Sequence, residues 1–193
     1  GNSCSSSTSQ SVTVNALPTV SVSGTSTICN GASTTLTASG ANDYSWNNGE
    51  TTAAVTVTPS SSVTYTVTGT DGNSCSASST KAVTVNSLPT INISGTTTIC
   101  FGKSTTLTAS GATSYSWAGG QTTAAVTVSP TVNTDYTVTG TDANSCTASA
   151  TRTVTVNSLP SISISGTTTI CNGKSTTLTA SGAVNYSWNG GQT

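Results

Sequence analysis

The chain has 193 residues, 4 of them basic and 5 acidic, with no His and a formal net charge of -1. This scarcity of basic groups argues against nucleic acid as a partner, and no polybasic patch or apolar run of about 18 residues predicts membrane insertion. Catalysis needs positioned titratable pairs, which a His-free chain with few carboxylates does not offer. We therefore predict no catalytic residue, no cofactor and no metal site, and a protein that is not an enzyme.

The sequence repeats with a period of 71 residues. Cys29, Cys100 and Cys171 are separated by this interval, and the three Trp residues are too. A fixed period of this kind indicates one structural unit used repeatedly. The predicted domains are the C-terminal strand of a preceding repeat (1–16), repeat 1 (17–87), repeat 2 (88–158) and the N-terminal half of repeat 3 (159–193).

Repeat 1 alternates hydroxyl and apolar side chains in six segments. In chain order these are TVSVSG from Thr19, TLTASG from Thr35, DYSW from Asp43, AVTVTP from Ala54, VTYTVTG from Val63 and KAVTVN from Lys81. Period-two alternation rich in Val, Thr and Tyr predicts half-buried β-strands, and turn residues separate the segments. The predicted core is Val20, Val22, Ile28, Leu36, Ala38, Tyr44, Trp46, Val55, Val57, Tyr65, Val67, Val83 and Val85.

These short strands predict an all-β fold of tandem immunoglobulin-like β-sandwich domains in an extended array. Trp46 on the third strand and Tyr65 at the start of the penultimate strand are typical of this sandwich. A parallel β-solenoid is the alternative, although its coils are much shorter than 71 residues. Because an extended array needs the two termini of each unit at opposite ends, we predict a seventh short strand around residues 49–53.

The segment YSWNNGETTAAVTVTPSSSVTYTVTGTDGNSC runs from Tyr44 to Cys75, and a second copy ends at Cys146. Both resemble the Ig-like and PKD-like repeats of large secreted surface proteins of Bacteroidota, including gliding-motility adhesins exported by the type IX secretion system. YSW-x-x-G is similar to the aromatic-Trp-x-x-Gly signature of PKD domains, but Asn47, Ala118 and Asn189 stand where that family has an acidic residue. The resemblance implies an extracellular location on the bacterial cell surface and a role in adhesion.

The six cysteines form two periodic classes: Cys4, Cys75 and Cys146, and Cys29, Cys100 and Cys171. Without His or C-x-x-C, they indicate disulfides in an oxidising compartment rather than zinc ligands. Four predicted strands between Cys29 and Cys75 should return the chain to the same end of the sandwich. We therefore predict the pairs Cys29–Cys75 and Cys100–Cys146, with Cys4 and Cys171 pairing outside this fragment. Pairing across each repeat junction stays open as the alternative.

Positions that differ between the copies predict where a binding surface would lie. The candidates are the loop residues Asn42, Asp43, Ser60, Ser61 and Ser62, and Phe101, which stands where the other copies have Asn.

Other recurring side chains have a structural interpretation. Asp71 and Asp142 precede Asn residues, and a single Asp there predicts an Asx turn rather than a calcium site. Trp46, Trp117 and Trp188 are predicted to pack in cores rather than to stack on sugars.

The predicted function is that of a structural stalk or filament shaft in a cell-surface adhesin. The expected partners are neighbouring repeats of the same chain, other copies in a filament, and an extracellular surface or glycan ligand of unknown identity. Two alternatives remain: a ligand- or carbohydrate-binding module that acts through its variable loops, and a self-assembling extracellular filament subunit.

Overall fold

The structure is a computed structural model that describes residues 1–189. These residues contain sixteen β-strands and no helix, and therefore no helix that could cross a membrane. The chain divides into two compact units. Unit 1 is Gly1–Thr90 together with Thr141–Ala148, and unit 2 is Ile91–Gly140 together with the chain from Ser149 onward.

The first seven strands lie between residues 21 and 86. They are β1 (Ser21–Ser23), β2 (Thr27–Cys29), β3 (Thr34–Ser39), β4 (Asp43–Trp46), β5 (Ala54–Val57), β6 (Val63–Thr70) and β7 (Ser76–Asn86). One sheet has the order β1-β3-β5 and the other β2-β7-β6-β4. Strand β2 runs parallel to β7, whereas the other pairs are antiparallel.

The next seven strands repeat this arrangement. They are β8 (Asn92–Ser94), β9 (Thr98–Cys100), β10 (Thr105–Ser110), β11 (Ser114–Trp117), β12 (Ala125–Val128), β13 (Thr134–Thr141) and β14 (Thr147–Asn157). Their sheets have the orders β12-β10-β8 and β11-β13-β14-β9, with β9 parallel to β14. Two further strands, β15 (Ser163–Ser165) and β16 (Thr179–Ser181), pair antiparallel.

This strand order is that of an immunoglobulin-like β-sandwich. Strands β1, β3 and β5 correspond to A, B and E of that fold, and β4, β6 and β7 to C, F and G. Strand β2 continues the first strand into the opposite sheet, beside β7. The predicted all-β class with immunoglobulin-like β-sandwiches is confirmed, and the extended array stays a prediction.

The core follows directly from the alternating sequence. In β3, Thr34, Leu36 and Ala38 are buried while the intervening residues face solvent. Every residue of the predicted core lies in the first apolar cluster or packs against it. The second cluster contains the residues 71 positions later, from Ile91 to Val156. Local alternation is therefore enough to identify which side chains are buried.

The predicted strand at residues 49–53 is wrong. Those residues form bends and irregular chain, and the seventh strand is β2. The chain changes sheets at Gly24, whose φ is +132°, and a Cβ there would lie 2.5 Å from the carbonyl oxygen of Thr35. Only glycine fits this close approach, which lets the chain leave β1 and enter β2 in the opposite sheet. Strand β2 lies outside the six predicted segments.

Hydroxyl pairs cover the solvent-facing sides of the sheets. Seven cross-strand Ser and Thr pairs have oxygen–oxygen distances of 2.7–3.1 Å in the two complete repeats: Ser21–Ser39, Thr35–Thr56, Thr68–Ser78, Thr70–Ser76, Thr106–Thr127, Thr137–Thr151 and Thr139–Ser149. Such pairs stabilise neighbouring strands without using charge.

The flanking segments carry little regular structure. Residues 1–20, which include the predicted strand of a preceding repeat, form no strand. The corresponding strand of repeat 1, β7, pairs with both β6 and β2. In repeat 3, β15 and β16 pair, but Ile164 and Leu178 are 62% and 42% exposed.

Candidate functional site

Each complete repeat places a cysteine at the same tight turn. After β2, the N–H of Ala32 donates to the carbonyl of Cys29 at 2.9 Å, and after β9 the N–H of Lys103 donates to that of Cys100 at 3.0 Å. We call residues 29–32 the first corner and residues 100–103 the second corner. Glycine is required at the third position of each, where φ is +85° in the first corner and +79° in the second.

The second cysteine class lies in a hairpin loop between the two longest strands of each repeat. In the first hairpin loop (71–75), the Asp71 carboxylate accepts the N–H groups of Asn73 and Cys75, both at 2.9 Å. In the second hairpin loop (142–146), Asp142 accepts the equivalent N–H groups at 2.8 and 2.9 Å. These bonds confirm the predicted Asx turns.

A disulfide joins the first corner to the second hairpin loop. Cys29 is bonded to Cys146, with a Cα–Cα distance of 5.6 Å and a sequence separation of 117 residues. Both cysteines belong to unit 1, because that unit includes Thr141–Ala148. The bond therefore connects one repeat of the sequence with the following one.

The predicted pairs Cys29–Cys75 and Cys100–Cys146 are wrong. Cys29 lies opposite Asn86, at the C-terminal end of β7, whereas Cys75 precedes the first residue of the same 11-residue strand. At about 3.3 Å per residue, β7 separates the two cysteines by roughly 35 Å, far beyond the Cα–Cα limit of about 7 Å for a disulfide. Strand β14 separates Cys100 from Cys146 in the same way.

The prediction assumed four crossings of the sandwich between Cys29 and Cys75, and the parallel pairing of β2 with β7 shows that this number is wrong. Strands β3 to β6 alone would make β2 and β7 antiparallel. Since β2 and β7 are parallel, and β4 and β5 run in the same direction, the chain crosses the sandwich a fifth time between Trp46 and Ala54, without forming a strand there. The junction pairs are not formed either. Cys4, Cys75, Cys100 and Cys171 carry free thiols, and partners for Cys4 and Cys171 outside this fragment remain a prediction.

Four of the candidate binding positions lie at the corner ends of two different sandwiches, Ser60, Ser61 and Ser62 in repeat 1 and Phe101 in repeat 2. Phe101, 49% exposed, lines an open cavity of about 460 Å³ with residues 131–133, the counterparts of Ser60, Ser61 and Ser62. Val132, which replaces Ser61, is 67% exposed. Repeat 2 therefore exposes two large apolar side chains, Phe101 and Val132, at positions where repeat 1 has Asn30 and Ser61.

One of these positions has a structural role in both repeats. The Ser62 hydroxyl accepts the N–H of Val85 at 2.9 Å, and the Asn133 side-chain oxygen accepts the N–H of Val156 at 2.8 Å. Ser60 and Ser61 are exposed beside it. The loop varies in sequence while keeping this one acceptor.

Asn42 and Asp43 lie at the other end of the sandwich. The N–H of Asn42 donates to the carbonyl of Thr70 at 2.9 Å, and Asp43 pairs with Thr70 in the sheet. Thr70 is the last residue of β6, and Ser62 lies directly before the first residue of that strand, so the two positions are at opposite ends of β6. The structure therefore does not bring Asn42 and Asp43 together with the corner residues. A binding role for any of these loops stays a prediction.

The Trp residues of the two complete repeats are core residues, as predicted. Trp46 and Trp117 are each 3% exposed, and their indole N–H groups donate to the carbonyls of Thr52 and Thr123 at 2.9 and 3.0 Å. Trp188 is half-buried. Across residues 1–189, no group of three or more His, Cys, Asp or Glu side chains is placed to hold a metal ion.

Comparison with known proteins gives no family. No protein-family model matches the chain, and no curated protein matches it. Among solved structures, it is similar to murine CEACAM1b, at 11% identity over 72% of this chain and 100% of that one, with a TM-score of 0.33. It is also similar to a 1.5-MDa bacterial ice-binding adhesin, at 14% identity over 79% of this chain and 70% of that one, with a TM-score of 0.37.

A third similar structure is a Ca²⁺-stabilized adhesin of an Antarctic bacterium, at 16% identity over 77% of this chain and 52% of that one, with a TM-score of 0.36. TM-scores below 0.5 are too low to transfer a function from any of these proteins.

Proposed function

We propose that this chain is a non-catalytic stalk segment of a bacterial cell-surface adhesin, of the kind suggested by its resemblance to Bacteroidota surface repeats. The observation that supports this role is the duplication of the whole sandwich. Strand order, core and hairpin loops recur 71 residues later. Repetition of one unit is how a protein reaches a length that a single domain does not provide.

The Cys29–Cys146 bond suits a segment under tension. A force applied to the two ends of the chain passes through this bond, so the residues between the two cysteines are not extended. Disulfides persist in oxidising compartments, which agrees with an extracellular location. A stalk needs this resistance to extension, whereas a soluble binding module does not.

The proposal predicts that length grows with repeat number. We would insert a second copy of residues 88–158 after Ser158 and compare the largest dimension of the two chains by small-angle X-ray scattering. A stalk gains a constant increment with each added repeat. An unchanged largest dimension would contradict the proposal.

Two further measurements separate the stalk from its alternatives. Ordered multi-chain fibres in negative-stain images would indicate a filament subunit instead. Glycan-array binding that is lost in a Phe101→Asn, Val132→Ser variant would indicate a binding module, since these substitutions restore the residues of repeat 1. Monomeric particles without array binding are expected for a stalk.

A further inference from the structure

We propose that the disulfide of this chain is one member of a periodic series with an offset of one repeat. In this series, the corner cysteine of each repeat bonds the hairpin cysteine of the following repeat. Cys100 then bonds the hairpin cysteine of a following repeat, and Cys75 bonds the corner cysteine of a preceding repeat. This inference does not depend on the function proposed above.

The free corner has the same construction as the bonded corner. In the bonded corner, Cys29 ends a three-residue strand parallel to β7, with Ile28 opposite Val85. In the free corner, Cys100 ends a three-residue strand parallel to β14, with Ile99 opposite Val156. The corner cysteine therefore has the same position relative to its sandwich in both repeats.

The free hairpin loop likewise matches the bonded one. The Asp carboxylate makes the same two hydrogen bonds in each, and Ser74 and Ser145 have φ values of 62° and 63°. A positive φ is uncommon for a residue other than Gly, so its recurrence indicates that the two loops share one backbone shape. Each loop thus presents its cysteine on the same backbone conformation.

Burial distinguishes the bonded cysteines from their free counterparts. Cys146 is fully buried while Cys75 is only half-buried, and Cys29 is half-buried while Cys100 is exposed. Since the local structures are equivalent, the difference arises from the presence of a partner. Cys75 has the local geometry of the bonded Cys146, and Cys100 has that of the bonded Cys29. Each lacks only a partner cysteine.

Bond formation needs a thiol oxidant, for which we specify glutathione disulfide. The thiolate of one cysteine attacks a glutathione sulfur and releases one glutathione as thiolate. The second cysteine thiolate then attacks the mixed disulfide and releases the other glutathione. Two protein thiols lose two electrons and two protons, and one glutathione disulfide becomes two glutathione thiols.

The first test asks whether the sequences of the second corner and the first hairpin loop allow a disulfide to form. It uses the chain as it exists. Asn30→Phe and Ala32→Lys give the first corner the sequence of the second, and Ala143→Gly gives the second hairpin loop the sequence of the first. All three positions are exposed. Non-reducing peptide mapping of this triple variant should recover the Cys29–Cys146 linked peptide in the same yield as the parent chain. Loss of that peptide would overturn the proposal.

The second test supplies the missing partner. A chain with a second copy of residues 88–158 inserted after Ser158 carries Ala143→Val in the inserted copy as a mass tag. After refolding with glutathione disulfide, we expect Cys100 to be linked to the tagged hairpin peptide. A link from Cys100 to the untagged Cys146 or to Cys75, or a Cys100 that remains open to alkylation, would contradict the offset rule.

Two matched controls accompany the extended chain. Cys100→Ser should leave the tagged hairpin cysteine open to alkylation. Phe101→Asn should leave the new bond intact, because the bonded first corner carries Asn30 at this position.

Discussion

Breaking the Cys29–Cys146 bond should lengthen the fully extended chain by a defined amount. We would pull the chain from its two termini by single-molecule force spectroscopy, before and after reduction. The bond hides 117 residues from the applied force, which at about 3.6 Å per residue corresponds to about 420 Å of additional contour length. The same increase should appear without reductant in a Cys29→Ser, Cys146→Ser variant.

The length change also distinguishes the possible pairings. Two within-repeat bonds would each hide 46 residues, since 75 − 29 and 146 − 100 are both 46, and reduction would release about 330 Å in total at about 3.6 Å per residue. A gain of that size would refute the offset pairing. A Cys75→Ser, Cys100→Ser variant is the matched control, because it removes two free thiols and should leave every extension unchanged.

Three further predictions concern stability and folding. Leu107→Ala, at a fully buried position, should lower the free energy of unfolding by about 2–5 kcal/mol in a urea titration, whereas exposed Val132→Ser should change it by less than about 0.5 kcal/mol. Gly69→Ala should lower the melting temperature, because its Cβ would lie 2.7 Å from two side-chain carbons; Gly72→Ala, with no atom within 4 Å, is the control. Asp142→Ala should slow reoxidation of the disulfide in a quenched alkylation time course, because two loop N–H groups lose their acceptor; Asp142→Asn keeps an oxygen acceptor and should restore the rate.

The sandwich and its core could be predicted because the information is local. Alternation along each strand identifies the buried face, as Leu36 and Ala38 show in β3. Asp71 and Asp142 were equally predictable, since an Asx turn closes within a few residues. The Trp residues followed from their place on the third strand.

The disulfide pairing could not be predicted in this way. Every repeat carries chemically identical cysteines, so the local sequence does not distinguish a partner 46 residues away from one 117 residues away. Loop closure favours the nearer partner by only about 0.8 kcal/mol. The deciding fact is that β2 runs parallel to β7, which places Cys29 and Cys75 at opposite ends of one strand. The 71-residue period was the one feature of the sequence that pointed to a bond between repeats, because it allows a cysteine to pair with the next repeat as readily as with its own.

The Cys29–Cys146 bond has a consequence for proteolysis. A single backbone cleavage between these residues leaves two fragments that are still joined through sulfur. If the bond recurs at every repeat, successive loops overlap by 46 residues, since the next loop begins at Cys100 and the present one ends at Cys146. Every peptide bond in the interior of such an array lies inside at least one loop. A protease acting on it would nick the chain without severing it, and the molecule would come apart only where a reductant acts as well.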